Sequence, residues 1–354
     1  MGSTGSNTSQ FPTSLSGVDG LDLQHSDAIT RAVLRLLDTE LAVQTYGQII
    51  DGVPLCDVAR GQQGHRVYRG HPLENHNTLC PGVVDTVKQF RADFNMERLK
   101  FDTKLLEAFQ AAAPNSRPFQ LRLIELTAVT VHEIAVILHK GKMRLHDRHT
   151  TDPRNSVEQV TRWRRQVEQD TGDSRYPPIR LLGPWPTLFT HPQYCNYPEY
   201  PDGLADNVGY WAEDQIFGGV VLFDRSQPWN TPVADTLASP EPNFYLHPAR
   251  YEVTRRLWQV KDEEQLALLD FMLSPAPASS SQPANAPLPL LPTLDHRIRI
   301  DPHYAMFRHK VYRDIWERPE PTDEDCYFWD RRPRNSLDYP ELEDLFRRLG
   351  VTRL

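Results

Sequence analysis

Cysteine is scarce in this chain of 354 residues, which contains four cysteines at positions 56, 80, 195 and 326. No two of them form a C-x-x-C pair, and the spacings between them are long. Such a pattern gives no sign of the disulfide framework that small secreted proteins carry. We therefore expect free thiols in a reducing compartment, and we predict that the protein is cytoplasmic.

Long apolar runs and an excess of basic residues are also missing. The longest apolar run, Leu123 to Leu138, contains three ionisable residues and is shorter than the ~18 residues of a membrane-spanning helix. The formal net charge is −8 and the pI is ≈ 5.9, whereas phosphate binding needs a basic face. We expect no membrane-spanning segment and no nucleic-acid partner. The partner is therefore a small molecule or a protein, and the sequence does not identify it or the oligomeric state.

The sequence lacks a G-x-S-x-G elbow, a P-loop and a dinucleotide-binding fingerprint. A serine hydrolase, a P-loop nucleotidase and a classical dehydrogenase are therefore unsupported. The first residues, "MGSTGSNTSQFPTSLSG", have no apolar core and do not predict a secretory signal. They fit the N-myristoylation pattern only loosely, and we expect a disordered leader over residues 1–25.

The remaining pattern predicts an α+β fold, mainly helical with a small sheet, over residues 26–272. A Pro/Ser/Ala-rich stretch at 273–293 is expected to be a linker or insertion outside the core. Residues 294–354 are expected to pack on the main domain, with the Arg and Lys of "HRIRIDPHYAMFRHKVYRDIW" solvated. We predict helices at 26–50, 103–113, 121–139, 156–170 and 209–217, a strand at 218–224, and irregular structure at 51–92.

One short motif contains candidate metal-binding and catalytic residues. In "TVHEIAVILHK", His132 and Glu133 begin the H-E-x-x-H signature of zinc peptidases, but Val136 stands where the second histidine belongs. At 100° per residue, His132, Val136 and His139 share one helical face with Glu125. In such a peptidase, two histidines four residues apart bind Zn²⁺, and the intervening Glu activates the bound water.

Valine at position 136 removes one of those ligands. His139 is seven residues from His132, which is about 10 Å along a helix axis and an unfavourable span for two imidazoles on one ion. His146 and His149 form an H-x-x-H pair, but they lie beyond Gly141, where we expect the helix to end.

A second element lies downstream, in "YPDGLADNVGYWAEDQIFGGVVLFD". Glu213 is a candidate third metal ligand, because a carboxylate on a downstream helix often completes a zinc site. Asp206 lies seven residues earlier on the same helical face. Gly218 and Gly219 then allow a tight turn into the predicted strand.

Together, "LRLIELTAVTVHEIAVILHK" and "ADNVGYWAEDQIFGGVVLFD" resemble a group of proteins common in filamentous fungi that is similar to zincin-like metallopeptidases. The resemblance covers roughly residues 95–225, with a weaker echo in "RHKVYRDIWERP". It implies a zincin-like core in which His132 is the first ligand, Glu133 the general base and Glu213 the third ligand. Val136 departs from this pattern, so the implied zinc site is incomplete.

Three functions follow from this pattern. The first is a metallopeptidase-like pseudoenzyme or scaffold that binds no zinc tightly. The second is a repurposed isomerase, cyclase or hydrolase of a fungal biosynthetic pathway, in which His132 and Glu133 act as an acid–base pair without metal. The third is an atypical metal-dependent hydrolase with zinc on His132, Glu213 and His139, to which Asp206, Tyr210, His146 or His149 adds a ligand if the fold brings it near.

Overall fold

The computed structural model describes residues 14–62, 67, 70–163, 186–226, 243–250, 252–274, 286–319, 337–340, 342 and 348. Helices make up most of the regular structure in these ranges. They are α1 (Leu23–Leu37), α2 (Glu40–Asp51), α3 (Cys56–Gly61), α4 (Val83–Ala92), α5 (Thr103–Ala111), α6 (Arg117–Lys140), α7 (His146–His149), α8 (Val157–Arg162), α9 (Leu204–Phe217), α10 (Asp262–Leu273) and α11 (Pro302–Ala305).

The strands form two antiparallel sheets. A two-stranded ribbon pairs β1 (Leu15–Ser16) with β2 (Phe101–Asp102). The larger sheet has the order β6-β5-β4-β3-β7 and consists of β3 (Val220–Asp224), β4 (Phe244–His247), β5 (Leu257–Gln259), β6 (Arg299–Ile300) and β7 (Val311–Tyr312). The predicted α+β class, mainly helical with a small sheet, is confirmed.

Helix α6 is the centre of the helical layer. The Ser116 hydroxyl caps its first turn by accepting from the Phe119 amide at 3.3 Å, and Pro118 lies in that turn, where no amide donor is needed. Buried residues lie on most of its faces, because α1, α2, α5 and α9 all pack against it. A helix that is apolar nearly all round is expected to be a core helix.

Helix α9 packs along α6 and leads directly into the sheet. Gly218 caps the C-terminal end of α9, and its φ of +93° lies in the left-handed region. Strand β3 begins two residues later, so the sheet lies at the end of the α6–α9 pair. The predicted helices at 103–113, 121–139 and 209–217 and the strand at 218–224 are therefore confirmed.

The N-terminal predictions differ from the structure. Residues 26–50 form two helices, because Thr39 leaves the helical conformation and caps α2 by accepting from the Ala42 amide at 3.1 Å. The first helix begins at Leu23 and β1 precedes it, so the expected disorder up to residue 25 is wrong for residues 14–25. Residues 1–13 lie outside the described residues.

The prediction of irregular structure at 51–92 is wrong over two stretches of that range and holds for residues 70–82, which contain only one 3₁₀ turn. Helix α3 and helix α4 both lie there, and α4 buries Val83 and Val87. The residue before α4 is Gly82 with φ +82°, a backbone conformation that a scan for Ser, Thr, Asp or Asn caps does not detect.

The low-complexity stretch is part of the core at its C-terminal end. The Leu290 amide donates to the Phe217 carbonyl at 2.9 Å, and the Leu290 side chain is buried. Residues 275–285 of the expected linker lie outside the described residues. The segment that follows does pack on the main domain, since it supplies β6 and β7.

The basic residues of that segment are not all solvated as expected. Arg299, Arg313 and Arg318 are each only 7% exposed. Of the predicted helix at 156–170, the structure describes α8 only. No helix in the described ranges combines the length and the apolar character that a membrane span requires.

Gly218 gives a first test of this architecture. A Cβ atom at position 218 would lie 2.0 Å from the Leu290 carbonyl oxygen, and the positive φ adds strain. We expect Gly218→Ala to lower the free energy of unfolding by about 2–4 kcal/mol, measured by urea denaturation. The control is Gly61→Ala, where nothing lies within 4 Å of the new Cβ and φ is not positive. Equal stability of the two variants would contradict the close contact between α9 and residue 290.

Candidate functional site

The candidate site lies between α6 and α9, and a glycine on α9 allows a side chain of α6 to lie close to the α9 backbone. The His132 ring on α6 rests against Gly209 on α9, where a Cβ atom would be 2.4 Å from the ring Nε2. Asp206 lies about one turn before Gly209 and Glu213 about one turn after it, so both carboxylates flank the ring.

Both ring nitrogens of His132 face a carboxylate. Nδ1 is 2.9 Å from Glu213 Oε1, and Nε2 is 3.0 Å from Asp206 Oδ1. Ionised carboxylates only accept hydrogen bonds, so both nitrogens carry protons and the ring is an imidazolium. Burial alone would lower the pKa of His132, but the hydrogen bonds to Asp206 and Glu213 outweigh it and raise the pKa to about 9. His132 is therefore a fixed cation at neutral pH.

A second cation shares Glu213. Arg313 Nη1 donates to Glu213 Oε1 at 2.7 Å, and Arg313 Nε donates to Asp314 at 3.0 Å. Burial would raise the pKa of Glu213, yet Arg313 and then His132 outweigh burial and lower it. Arg313 Nη2 also lies 3.4 Å from His132 Nδ1, but that nitrogen already donates to Glu213, so this approach is a non-bonded contact. Two buried carboxylates are thus balanced by two buried cations.

The backbone fixes the remaining carboxylate oxygens. Glu213 Oε2 accepts from the Val221 amide of β3 at 3.2 Å. Asp206 Oδ2 accepts from the Asp202 amide at 2.7 Å, at the start of α9. Each carboxylate therefore accepts from one backbone amide and from its cations: Asp206 accepts from His132, and Glu213 accepts from both His132 and Arg313. Buried charges require such pairing.

A neighbouring ion network is centred on Glu125, the other acid on the His132 face of α6. Glu125 is buried and pairs with Arg122 and Arg225. Burial would raise its pKa, but Arg225 and then Arg122 outweigh burial and lower it. Arg225 Nη2 also donates to the Arg313 carbonyl at 3.2 Å, so the two networks are connected.

A cavity of ≈ 360 Å³ opens onto these networks. Glu133 lines it and is half-buried, and no hydrogen bond to its carboxyl occurs within the described residues. Burial raises the pKa of Glu133, with smaller contributions from Asp206 and Asp202 and an opposing one from His132. Both acidic and basic side chains line the cavity together with aromatic ones, among them Asp202, Asp206, Arg98, Lys100, Arg225, Arg313, Tyr210 and Trp316.

The structure brings together most of the predicted site residues. His132 and Glu213 are in direct contact, Asp206 and Glu133 adjoin them, and the Tyr210 ring meets the His132 ring edge-on at 4.6 Å. His139 is not part of this group, because no hydrogen bond or ring contact joins it to His132 or Glu213 in the described ranges. Burial lowers the pKa of His139 to about 4, so it is neutral.

The H-x-x-H pair lies elsewhere. His146 begins the short helix α7, and its ring lies beside Cys80, with Asp51 and His76 close by. His149 ends the same helix and is exposed. Neither histidine lines the cavity beside Glu133.

The zinc ion that the resemblance implies does not fit the His132 centre in this arrangement. Both nitrogens of His132 donate to carboxylates, so the ring has no lone pair for a metal. The Arg313 guanidinium already neutralises Glu213. Val136 is 1% exposed and apolar, so no second ligand comes from α6. The three expected ligands therefore do not form a metal-binding set.

Sequence reasoning missed the two arginines, Arg313 and Arg225. Arg313 is 181 residues from His132, and helical periodicity carries no information over that distance. The only signal was that "RHKVYRDIWERP", which contains Arg313, echoes the same resemblance as α6 and α9.

The charge on His132 predicts a pH dependence of stability. Its folded pKa of about 9 lies above its ordinary value of 6.5, so the contribution is fully present below pH 6.5 and is lost as the pH rises through 9. The expected loss of unfolding free energy over this window is on the order of 3 kcal/mol. Urea denaturation across the window should show a steeper decline in the wild type than in His132→Gln, which cannot titrate. Parallel declines would contradict an imidazolium at this position.

Comparison with known proteins does not assign this chain to a family. No protein-family model, no curated protein and no solved structure matches the chain. The resemblance to zincin-like metallopeptidases therefore stays a prediction from the sequence, and the function has to be inferred from the site.

Proposed function

We propose that the protein is a zincin-like pseudoenzyme in which protein cations replace the metal, and that it binds a small polar molecule. One observation carries this proposal: His132 donates from both ring nitrogens to Asp206 and Glu213, while Arg313 neutralises Glu213. In a zincin the carboxylate and the histidine would both direct lone pairs at a metal ion. Here the imidazolium and the guanidinium supply the positive charge.

The cavity beside this centre supports a binding role. Its ≈ 360 Å³ lies within the usual range of small-molecule pockets. Acidic and basic side chains both line it, and Tyr210 and Trp316 add aromatic surface. This lining suits a polar ligand with an apolar portion.

A gain-of-function experiment tests the replacement of metal by arginine. Val136→His restores H-E-x-x-H, but Arg313 still holds Glu213, so we expect no additional zinc. Val136→His with Arg313→Met also frees Glu213, and we expect about one equivalent of zinc above the wild-type content. Metal content of the purified proteins and zinc titration of their apo forms give the measurement.

Two results would overturn this proposal. One is extra zinc bound equally well by Val136→His with and without Arg313. The other is a zinc ion in the wild type that is lost in both His132→Ala and Glu213→Ala. If Cys80→Ser, a change away from the His132 centre, retains this zinc, the ion lies at the His132 centre.

A second function, an acid–base enzyme, is favoured by Glu133. Its carboxyl faces the cavity without a hydrogen-bond partner among the described residues, and burial raises its pKa. A carboxyl of this kind can remove or return a proton at a bound ligand. The nearby cations His132 and Arg313 would stabilise the anion that forms. This chemistry suits an isomerase, a cyclase or a hydrolase, and it requires no metal.

Glu133→Gln distinguishes a retained base from a residue that supports the fold. Because the folded protein raises the pKa of Glu133 above its ordinary value of 4.5, the ionised carboxylate destabilises the folded state at pH values above 4.5. A neutral isostere should therefore increase the unfolding free energy at neutral pH by about 0.5–2 kcal/mol, measured by urea denaturation. The matched control is Glu125→Gln, which should destabilise, because it leaves Arg225 and Arg122 without their buried partner. Destabilisation of both variants would assign Glu133 a structural role.

A further inference from the structure

A second group of polar side chains lies outside the His132 centre. It consists of Asp51 at the end of α2, His76 after the 3₁₀ turn Pro72–Asn75, Cys80 before α4, and His146 at the start of α7. One ligand atom from each of the four lies within 4.8 Å of the others. Asp51 and His76 are buried, and Cys80 and His146 are half-buried.

Two spacings within this group match those around a single tetrahedral ion. His76 Nε2 is 3.4 Å from Asp51 Oδ2, and Cys80 Sγ is 3.5 Å from His146 Nδ1. With metal–nitrogen and metal–oxygen bonds near 2.1 Å and a metal–sulfur bond near 2.3 Å, tetrahedral ligands lie about 3.4 and 3.6 Å apart. The rings of His76 and His146 are 4.9 Å apart and nearly perpendicular, so they do not stack face to face.

Two atoms of the group are buried without a hydrogen-bond partner. His76 Nε2 approaches Asp51 at 3.4 Å but is not aligned for a hydrogen bond, and Asp51 Oδ1 has no partner either. The Asp51 side chain is 0% exposed and the His76 side chain 8%. Buried polar groups are rarely left unpaired, and a site for a bound ion is one of the usual reasons when they are.

The surroundings orient these side chains as the outer shell of a metal site does. His146 Nε2 lies 3.0 Å from the Asn155 carbonyl and donates to it, which leaves the Nδ1 lone pair directed at Cys80. Asp51 Oδ2 accepts from the Cys80 amide at 3.0 Å, which fixes the carboxylate. A histidine ligand usually donates its other ring N–H to a carbonyl or a carboxylate, and carboxylate ligands are in turn hydrogen-bonded.

We propose that Asp51, His76, Cys80 and His146 bind one Zn²⁺ ion. Thiolate, imidazole and carboxylate together suit zinc, and four protein ligands are typical of a structural site. On binding, a bond forms between zinc and Cys80 Sγ, the thiol S–H bond breaks, and the proton leaves to solvent. No oxidation or reduction accompanies the step.

The role of this zinc follows from the segments that it joins. Residues 70–82 contain only one 3₁₀ turn, and α7 is four residues long. Both segments have little regular structure of their own. Zinc would fasten both to the end of α2, a packed helix of the core. The site is separate from the cavity beside Glu133, so it does not depend on the function proposed there.

Cobalt substitution tests this proposal, because Co²⁺ occupies tetrahedral zinc sites and a bound thiolate gives a near-ultraviolet charge-transfer band. Full-length protein freed of metal by a chelator should show this band with one equivalent of Co²⁺, and Zn²⁺ should displace it. Cys80→Ser should lose the band, and His146→Gln should weaken Co²⁺ binding at least tenfold. Cys56→Ser, Cys195→Ser and His132→Gln are matched controls that should retain the band.

A second measurement uses the wild type alone, so it does not depend on whether a variant folds. Zn²⁺ should slow alkylation of Cys80 by iodoacetamide, followed by peptide mass spectrometry, and should leave the alkylation of Cys195 unchanged. Absence of the charge-transfer band together with unchanged alkylation of Cys80 would overturn the proposal and leave a metal-free thiol–imidazole contact. A band that persists in Cys80→Ser would overturn it as well, since another thiol would then be the ligand.

Discussion

The pairing of one imidazolium with two carboxylates is the constraint on which the core depends. His132 is buried, and it stays charged only because Asp206 and Glu213 meet its two ring nitrogens. Those carboxylates are seven residues apart on α9, so the ring determines how α6 and α9 lie against each other. Arg313 completes the balance from the C-terminal part of the chain. The arrangement thus joins three distant segments of the sequence at one point.

Such a centre contributes more to the uniqueness of the fold than to its net stability. Taking four charged groups out of water costs several kcal/mol per ion, and their mutual attraction roughly offsets that cost. Any other packing of α6 on α9 would leave at least one of these charges buried and unpaired. The Glu125–Arg225 pair imposes the same need for paired charges near β3. Arg225 follows that strand directly and also donates to the Arg313 carbonyl.

Local patterns in the sequence were sufficient to predict the elements that carry the site. Helix α6, helix α9 and strand β3 follow from periodicity, from the helix end expected at Gly141 and from the Gly218–Gly219 turn. The sequence also places Glu213 and Asp206 on one helical face correctly. The balance of charge could not be predicted, because Arg313 is 181 residues from His132 and looks like any solvated arginine. The cluster around Cys80 was missed for a related reason: its four residues come from three segments, one of which was expected to be irregular.

The contact between Gly209 and His132 limits how the sequence can change at these positions. The ring leaves room for a hydrogen atom but not for a methyl group at position 209. A lineage that replaces this glycine must therefore give up the imidazole as well, and Asp206 and Glu213 would then lose their shared cation. The four positions should change together or not at all. A search for distant relatives would gain more from this linked set than from the H-E dipeptide alone.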